Sequence, residues 1–315
     1  MKKKELISLI VPCYNEEQAI PYYCKEIKKQ ILVLTEKFSN VDYEVIFVDD
    51  GSDDGTLECI KRMEMQNVQY ISFSRNFGKE AALYAGFIKS KGDFVVTMDV
   101  DLQDPPELLE QMLCAVLKEG YDSAATRRVN RIGEPPIRSF FARMFYKLIN
   151  QISNVEVVDG ARDYRIMNRK MVDAILSIPE RNRFTKGIYG WIGFKTKWIE
   201  FENVERRAGE TKWSFSKLFT YALDGIIAYS TAPLSMATVT GIILAIISVA
   251  AILFVVVRKL IFGDPTSGWA SMICVILMLG SMQLFAIGII GQYLAKTYIE
   301  TKQRPIFIVN EESEE

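Results

Sequence analysis

The sequence contains no histidine, and this absence removes several kinds of active site at once. None of the 315 residues is His, so a Ser-His-Asp triad, a Cys-His pair and a metal site with imidazole ligands are all excluded. Two glycine-rich motifs for phosphate binding are also missing. No G-x-G-x-x-G follows the first apolar run, and no G-x-x-x-x-G-K-[ST] occurs anywhere. If the protein binds phosphates, side chains or a metal ion must hold them.

The sequence also has few cysteines and little net charge. Its five cysteines lie far apart and never in C-x-x-C spacing: Cys13, Cys24, Cys59, Cys114 and Cys274. This pattern is more typical of a reducing compartment than of a disulfide-bonded secreted protein. The formal net charge is -1, so the overall charge does not indicate a nucleic-acid partner.

Charged residues are absent from two long stretches near the C-terminus. None occurs in residues 234–257 or in residues 269–295. At about 1.5 Å per helical residue, each stretch is long enough to cross a hydrocarbon core of about 30 Å. A buried helix of a soluble protein is the alternative, but two such stretches in succession favour a transmembrane hairpin. Both ends of the hairpin then lie on the same side of the membrane, and the flanking Lys and Arg residues do not decide which side.

Residues 1–130 alternate apolar runs with amphipathic segments, which predicts an α/β domain with a largely parallel sheet. We predict strands at residues 6–11, 43–48, 68–73, 95–98 and 122–126, and helices at residues 17–38, 56–65 and 79–90.

The stretch from Val95 to Leu109 combines a strand, several carboxylates and a helix start. Asp99, Asp101 and Gln103 supply hard oxygen ligands, which suit Mg²⁺ or Mn²⁺. Asp104 is predicted to be a helix N-cap, with Pro105 as the first helical residue. Taken alone, a D-x-D sequence is more often an acidic turn than a metal site.

Other strand ends carry complementary groups, and this changes the interpretation. In an open α/β sheet, ligands bind at the carboxyl ends of the strands. Those ends carry Tyr14, Asn15 and Glu16, then Asp49 and Asp50, then Arg75 and Lys79, then Asp99 and Asp101, and finally Arg127 and Arg128. Carboxylates for a metal and cations for phosphates would therefore meet at one edge of the sheet.

Two amphipathic segments precede the first apolar stretch. Residues 137–152 place apolar side chains at helical spacing, with Arg138, Arg143 and Lys147 outside that stripe. This arrangement favours a helix lying in the surface of an anionic membrane, although an ordinary helix packed on the sheet is the alternative. A second such helix is predicted over residues 215–226.

Between these helices, two features are ambiguous from pattern alone. Asp163 lies between Arg162 and Arg165, which suits either a surface ion pair or an active-site carboxylate. The basic segment 206–212 suits either a loop that closes over an anionic ligand or a solvated charged loop.

These motifs together resemble a known family. The segments VPCYNEE, VDDGSDDGT, SRNFGKEAAL, MDVDLQDPPE, ARDYRIMNRK, RFTKGIYGWIGF and GETKWSF, followed by two apolar stretches, are similar to the family 2 inverting glycosyltransferases of the polyprenyl-phosphate type. Within that family, the chain resembles bactoprenol glucosyltransferases and, more distantly, dolichol-phosphate mannose synthases. The resemblance implies a glycosyltransferase A-type Rossmann-like domain.

The resemblance also implies roles for individual residues. Pro12, Tyr14, Asn15, Glu16 and Asp50 would line the nucleotide pocket, with Asp50 at a uracil ring, and Arg75, Lys79 and Asp99 would lie at the nucleotide as well. Asp99, Asp101 and Gln103 would hold Mg²⁺ or Mn²⁺ and the diphosphate. Asp163 would be the catalytic carboxylate, Asp101 would take part in catalysis, and Arg207 and Lys212 would be cations of a loop near the phosphates.

The implied reaction transfers a sugar from a nucleotide sugar, such as UDP-glucose or UDP-N-acetylglucosamine, to polyprenyl phosphate with inversion. The implied location is a bacterial cytoplasmic membrane, with the catalytic domain and both termini in the cytoplasm, no nucleic acid bound and a homo-oligomer allowed. The expected units are an α/β domain at 1–135, an acceptor-side region at 136–230, two transmembrane helices at 231–297 and an acidic tail at 298–315.

Two other functions are considered. A processive polysaccharide synthase shares the D-x-D domain, but none of Trp191, Trp198, Trp213 or Trp269 is preceded by Arg, so its Q-x-x-R-W motif is missing. A non-catalytic membrane scaffold that binds sugar nucleotides is the other alternative. The residues do not specify the sugar.

Overall fold

The structure is a computed structural model, and it describes residues 4–129, 144, 147, 149–153, 158–202, 225–262 and 268–314. The first half contains β1 (Glu5–Cys13), α1 (Ile20–Lys37), β2 (Val41–Asp49), α2 (Thr56–Lys61), β3 (Val68–Phe73), α3 (Lys79–Lys89), β4 (Phe94–Thr97) and α4 (Leu108–Lys118). The rest contains β5 (Ser123–Arg128), β6 (Ala161–Asn168), α5 (Arg169–Leu176), α6 (Thr185–Trp191), β7 (Thr196–Phe201), α7 (Ala232–Phe262), α8 (Trp269–Thr301) and β8 (Val309–Glu312).

One sheet organises the described part of the α/β domain. Its order is β7-β5-β6-β4-β1-β2-β3-β8. Strands β1, β2, β3 and β4 pair in parallel, and β5 pairs in parallel with β7. Strand β6 is antiparallel to both β4 and β5, so β4 and β5 run in the same direction. The predicted α/β domain with a mainly parallel sheet is therefore confirmed.

Helices cover both faces of this sheet, which explains why its central strands are apolar on both sides. On one face, α1 and α4 pack against residues such as Leu9 and Val45. On the other, α3, α5 and α6 pack against residues such as Ile10 and Ile46. The core therefore lies in two layers, one on each face of the sheet. The carboxyl ends of the parallel strands are left for a site.

The last strand of the chain belongs to the same sheet. Strand β8 is antiparallel to β3, and Phe307 stacks on Phe73 with ring centroids 4.9 Å apart. Glu311 and Glu312 form ion pairs of 2.6 and 2.7 Å with Lys61 and Lys89. Residues expected to form an acidic tail thus include an edge strand whose carboxylates face lysines of the α/β domain.

Two helices, α7 and α8, are long and apolar enough to cross a membrane. The candidate spans are Ala232–Arg258 and Val275–Thr301, with mean hydropathies of 3.0 and 1.8, and neither is buried inside the protein. Large apolar side chains such as Phe254 and Leu284 are exposed. A fully exposed apolar surface is expected where lipid, and not protein, surrounds a helix. Of the two predicted interfacial helices, 137–152 is described only in part, and 215–224 lies outside the described residues.

Candidate active site

The strand register brings two carboxylates of the predicted site together. In the β4–β6 pair, Thr97 lies opposite Arg165. Because these strands are antiparallel, the residues that follow Thr97 lie beside the residues that precede Arg165. Asp99 follows Thr97, and Asp163 precedes Arg165, so both lie at the edge where the parallel strands end. The Thr97 hydroxyl fixes this arrangement by donating to the Asp163 carbonyl at 2.5 Å.

Lys79, the first residue of α3, bridges the two carboxylates. Its Nζ lies 2.6 Å from Asp99 Oδ1 and 2.6 Å from Asp163 Oδ2. A second lysine is near, because Lys186 Nζ lies 3.9 Å from Asp163 Oδ1 and donates to the Ala161 carbonyl at 3.0 Å. Asp163 is therefore held between two ammonium groups.

These cations decide the ionisation of Asp163. Burial disfavours its charged form, but the charge of Lys79, with those of Lys186 and Arg162, outweighs burial and lowers the pKa of the Asp163 carboxyl well below its ordinary value. Burial likewise disfavours a charged Lys79, but Asp163 and Asp99 outweigh it and raise the pKa of the Lys79 ammonium. Asp163 and Lys79 are thus both charged at neutral pH, and Asp163 is a weak proton acceptor.

The loop after β4 is fixed by an ion pair, and not by the predicted helix cap. Helix α4 begins at Leu108, and its N-cap is Glu107 without a side-chain cap, so the prediction that Asp104 caps the helix is wrong. Asp104 is buried and accepts a 2.8 Å hydrogen bond from Arg162 Nε. Arg162 Nη2 also donates to Gln103 Oε1 at 3.3 Å. A buried carboxylate needs such a partner more than a helix end needs a cap.

Asp50 organises the loop between β3 and α3. Its carboxylate is buried and accepts the backbone N–H groups of Phe77 at 2.6 Å and Gly78 at 2.9 Å. Burial raises the pKa of Asp50 to about 6, although the hydrogen bonds from Phe77 and Gly78 act in the opposite direction. Arg75, in the same loop, places its guanidinium 4.0 Å from the centre of the Phe77 ring.

The loops after β1 and β2 are joined by reciprocal hydrogen bonds. The Asn15 N–H donates to Ser52 Oγ at 2.9 Å, and the Asp53 N–H donates to Asn15 Oδ1 at 2.9 Å. The Glu16 N–H donates to Thr56 Oγ1 at 2.8 Å. Pro12 lies within β1 opposite Val48 of β2. The residues predicted to line a nucleotide pocket therefore lie on adjoining strands and loops.

The metal prediction can be tested against these contacts. Among the described residues, no three Asp, Glu or Cys side chains are grouped so as to hold a metal ion by themselves. Mg²⁺ and Mn²⁺ at diphosphate sites commonly use one or two carboxylates plus substrate oxygens, and the Lys79 ammonium marks a cation position against Asp99. Asp99 and Asp101 have the carboxylate chemistry that such a shared ion requires, and Asp101 Oδ1 accepts the Gln103 N–H at 3.2 Å. The Gln103 amide oxygen is directed to Arg162 instead.

Some residues of this site were not predicted from the sequence, and two predicted residues lie outside the described part of the chain. Lys186 was not predicted, although it lies within the segment RFTKGIYGWIGF. Its position beside Asp163 depends on how α6 packs, which no local pattern contains. Glu80, which adjoins Lys79 and accepts the Thr185 N–H at 2.9 Å, was not predicted either. Arg207 and Lys212 lie outside the described residues.

Comparison with known proteins shows that this fold, with its charged side chains at the strand ends, is that of a glycosyltransferase. The chain belongs to glycosyl transferase family 2, whose model matches residues 8–176. The CsbB protein of Bacillus subtilis (strain 168) is 42% identical to this chain, and the match covers 98% of this chain and 92% of CsbB. The prophage bactoprenol glucosyl transferase homolog of Escherichia coli (strain K12) is 39% identical over 96% of this chain and 98% of its own. The bactoprenol glucosyl transferase of Shigella phage SfX is 38% identical over 96% and 98%.

Proposed function

We propose that this glycosyltransferase moves a sugar from a nucleotide sugar, in particular a UDP-sugar, to polyprenyl phosphate with inversion at the anomeric carbon. The observation that carries the proposal is the placement of the Asp99–Lys79–Asp163 cluster on a domain that continues into two exposed apolar helices. A soluble donor and a membrane-bound acceptor need such a combination. Near full-length relatives named bactoprenol glucosyl transferase support the same acceptor.

The donor would lie across the carboxyl ends of β1, β2 and β4. Pro12, Tyr14, Asn15, Glu16 and Asp50 would face the nucleoside, and Arg75 would lie near its phosphates. Asp99 and Asp101 would hold Mg²⁺ or Mn²⁺ together with the diphosphate, with Gln103 as a further oxygen ligand once it leaves Arg162. A bound divalent ion neutralises charge on the departing nucleoside diphosphate.

The bond changes need no strong base. A phosphate monoester carries close to two negative charges at neutral pH, so an oxygen of the lipid phosphate can attack the anomeric carbon directly. The bond from that carbon to the diphosphate oxygen breaks, and the nucleoside diphosphate leaves with the electron pair. One displacement inverts the anomeric centre, so an α-linked donor gives a β-linked lipid product.

The protein's main task is therefore to bring two anions together in the correct geometry. Lys79 and Lys186 supply positive charge next to Asp163, and Arg207 and Lys212 are proposed to add more. Asp163, whose pKa is lowered by its lysine neighbours despite burial, serves to position these cations and the acceptor more than to accept a proton. Asp101 would contribute by helping Asp99 to hold the divalent ion.

The test is transfer by the purified protein in lipid. It is incubated with a panel of nucleotide sugars, undecaprenyl phosphate and Mg²⁺ or Mn²⁺, and the lipid product is weighed by mass spectrometry. One sugar added per lipid phosphate is expected, and Asp99→Asn and Asp101→Asn should each reduce the rate by about 100-fold or more. A polymeric product would instead support a processive synthase. Nucleotide-sugar binding without transfer under any condition would support a scaffold.

A further inference from the structure

The end of the second apolar helix is attached directly to the domain that carries the active site. Glu300, in the last turn of α8, accepts two backbone N–H groups through one carboxylate oxygen, from Arg181 at 2.8 Å and Asn182 at 3.0 Å. Lys296, one turn earlier, donates to Asn182 Oδ1 at 2.9 Å. Arg181 Nε donates in turn to the Arg304 carbonyl at 2.7 Å, just after α8.

The entry to the first apolar helix contacts the same segment. Tyr229 lies three residues before α7, and its hydroxyl donates to the Phe184 carbonyl at 3.3 Å. A Cβ added to Gly187 would lie 2.3 Å from a carbon of the Tyr229 ring, so the ring is in close contact with α6 there. Tyr293 of α8 donates to the Ser230 carbonyl at 2.6 Å, which ties the two helix ends to each other.

The other side of this segment reaches the catalytic carboxylates. Arg183 is buried, and its guanidinium stacks on Tyr84 of α3 at 4.3 Å. The Thr185 N–H donates to Glu80 Oε2 at 2.9 Å, and the Thr185 hydroxyl donates to the same oxygen. Glu80 adjoins Lys79, and Lys186 adjoins Thr185, so this contact lies next to both lysines beside Asp163.

We propose that Glu300 is a positioning residue for sugar transfer: by holding the backbone of residues 181–182, it lets the membrane hairpin set the place of Lys186 and Lys79 around Asp163. This inference rests on the proposed function and adds a requirement to it. The reaction joins a substrate from water to one held in the membrane. The cations at the acceptor side must therefore have a fixed position relative to the hairpin. Two hydrogen bonds to a single carboxylate oxygen fix that position at the point where α8 ends.

The variants follow from the geometry. Glu300→Ala removes the acceptor. Glu300→Gln keeps an amide oxygen that can accept both N–H groups and removes the charge, together with the 3.8 Å ion pair to Arg181. Glu110→Ala is the matched control, because Glu110 also lies on a helix, its side chain is equally exposed at 37%, and its ion pair with Lys37 at 2.7 Å lies elsewhere on the domain.

Each protein is reconstituted in lipid, and kcat and KM are measured for both substrates. We expect Glu300→Ala to lower kcat about tenfold, as a small displacement of positioned groups does, with the KM for the nucleotide sugar within about twofold of wild type. Glu300→Gln should retain at least about half of kcat, and Glu110→Ala should match wild type. Amide hydrogen exchange should be faster across residues 181–187 in Glu300→Ala alone.

The outcomes separate this inference from the proposed function. If the wild-type protein adds no sugar to polyprenyl phosphate, the proposed function fails, and the exchange measurement still tests the contact. If wild type is active and Glu300→Ala equals it in kcat, the positioning role is wrong. It is equally wrong if Glu300→Gln is as impaired as Glu300→Ala, or if Glu300→Ala loses nucleotide affinity and unfolds at a lower temperature, because those results indicate general damage.

Discussion

At the scale of single residues, the ammonium group of Lys79 sets the charge state of Asp163. Lys79 lies within 2.6 Å of oxygens from both Asp99 and Asp163. Two carboxylates that face each other without a cation cannot both stay ionised easily, and the pKa of one rises. Lys79 therefore keeps Asp163 charged across the working pH range, as the lowered pKa of that carboxyl reflects.

This leads to a prediction for Lys79→Met. With the Lys79 cation gone, the pKa of the Asp163 carboxyl should rise from its lowered value, so the acid limb of the kcat profile should move to higher pH. Lys79→Arg, which keeps the charge, is the control and should leave the limb near its wild-type position. The measurement is kcat in lipid from pH 9 down to about pH 3.5, because the wild-type Asp163 carboxyl titrates below its ordinary pKa of 3.8. Superposable profiles for Lys79→Met and wild type would contradict this account.

Asp50 is a second carboxylate with a shifted pKa. Burial raises the pKa of Asp50, whereas neighbouring cations lower that of Asp163. Since the pKa of Asp50 is about 6, at pH 7.5 it is almost fully ionised, while at pH 5 only about a tenth remains ionised. Its ionised form is the better acceptor for the Phe77 and Gly78 N–H groups. As the pH falls through about 6, the loop before α3 should loosen, and the affinity for UDP should decrease.

The check is UDP binding by calorimetry from pH 5 to 8 in wild type and Asp50→Asn. The phosphate of UDP also titrates in this range, but it does so equally for both proteins. The ratio of the two dissociation constants should therefore change with pH near 6. A ratio that is constant across the range would remove Asp50 as the titrating group.

At the scale of elements, the parallel half of the sheet could be predicted from sequence, and the antiparallel insertion could not. Strand β3 occupies residues 68–73 as expected, and the strands predicted at 6–11 and 43–48 are only extended at their ends, because runs of apolar β-branched residues mark strands buried on both faces. Strand β6 contains Arg162, Asp163 and Arg165, which suggest a surface. Arg165 is in fact buried, with its guanidinium 4.2 Å from the Tyr189 ring, a contact made by a distant helix.

The active site, too, could be predicted from the sequence only in part. The residue types at the ends of β1, β2 and β4 indicated a ligand edge, since parallel strands must end together. The pairing of Asp163 with Asp99 depends on β6 entering between β4 and β5 in the reverse direction. Tertiary register of this kind is not contained in local periodicity, and neither is the contact between Asp104 and Arg162.

That contact supports a prediction about the loop after β4. Arg162→Met would leave the Asp104 carboxylate buried without its 2.8 Å partner, which should destabilise the protein by on the order of 3 kcal/mol. Adding Asp104→Asn should restore part of this loss, because no uncompensated charge then remains. Thermal unfolding of the two single variants and the double variant in detergent measures the coupling. Additive effects of the two substitutions would show that the pair does not hold the loop.

At the scale of the whole molecule, the segments before and after the hairpin both contribute strands to one sheet. Strands β1 to β7 precede α7, while β8 follows α8 and pairs with β3. The chain therefore leaves the catalytic domain, passes through two apolar helices and returns to the same sheet. Both outer ends of the hairpin must lie on the side of the catalytic domain, whichever side that is.

Nucleotide sugars are made in the cytoplasm, so the catalytic domain and residue 314 should face it, and the connection between α7 and α8 should lie outside. We expect Ser267→Cys, in a background without the five native cysteines, to react with an impermeant maleimide on intact cells, and Glu314→Cys to react only after lysis. Because β8 is part of the catalytic sheet, the label on residue 314 reports the side of the active site and not merely that of a tail. Labelling of Glu314→Cys on intact cells would place the active site outside and would require a donor other than a cytoplasmic nucleotide sugar.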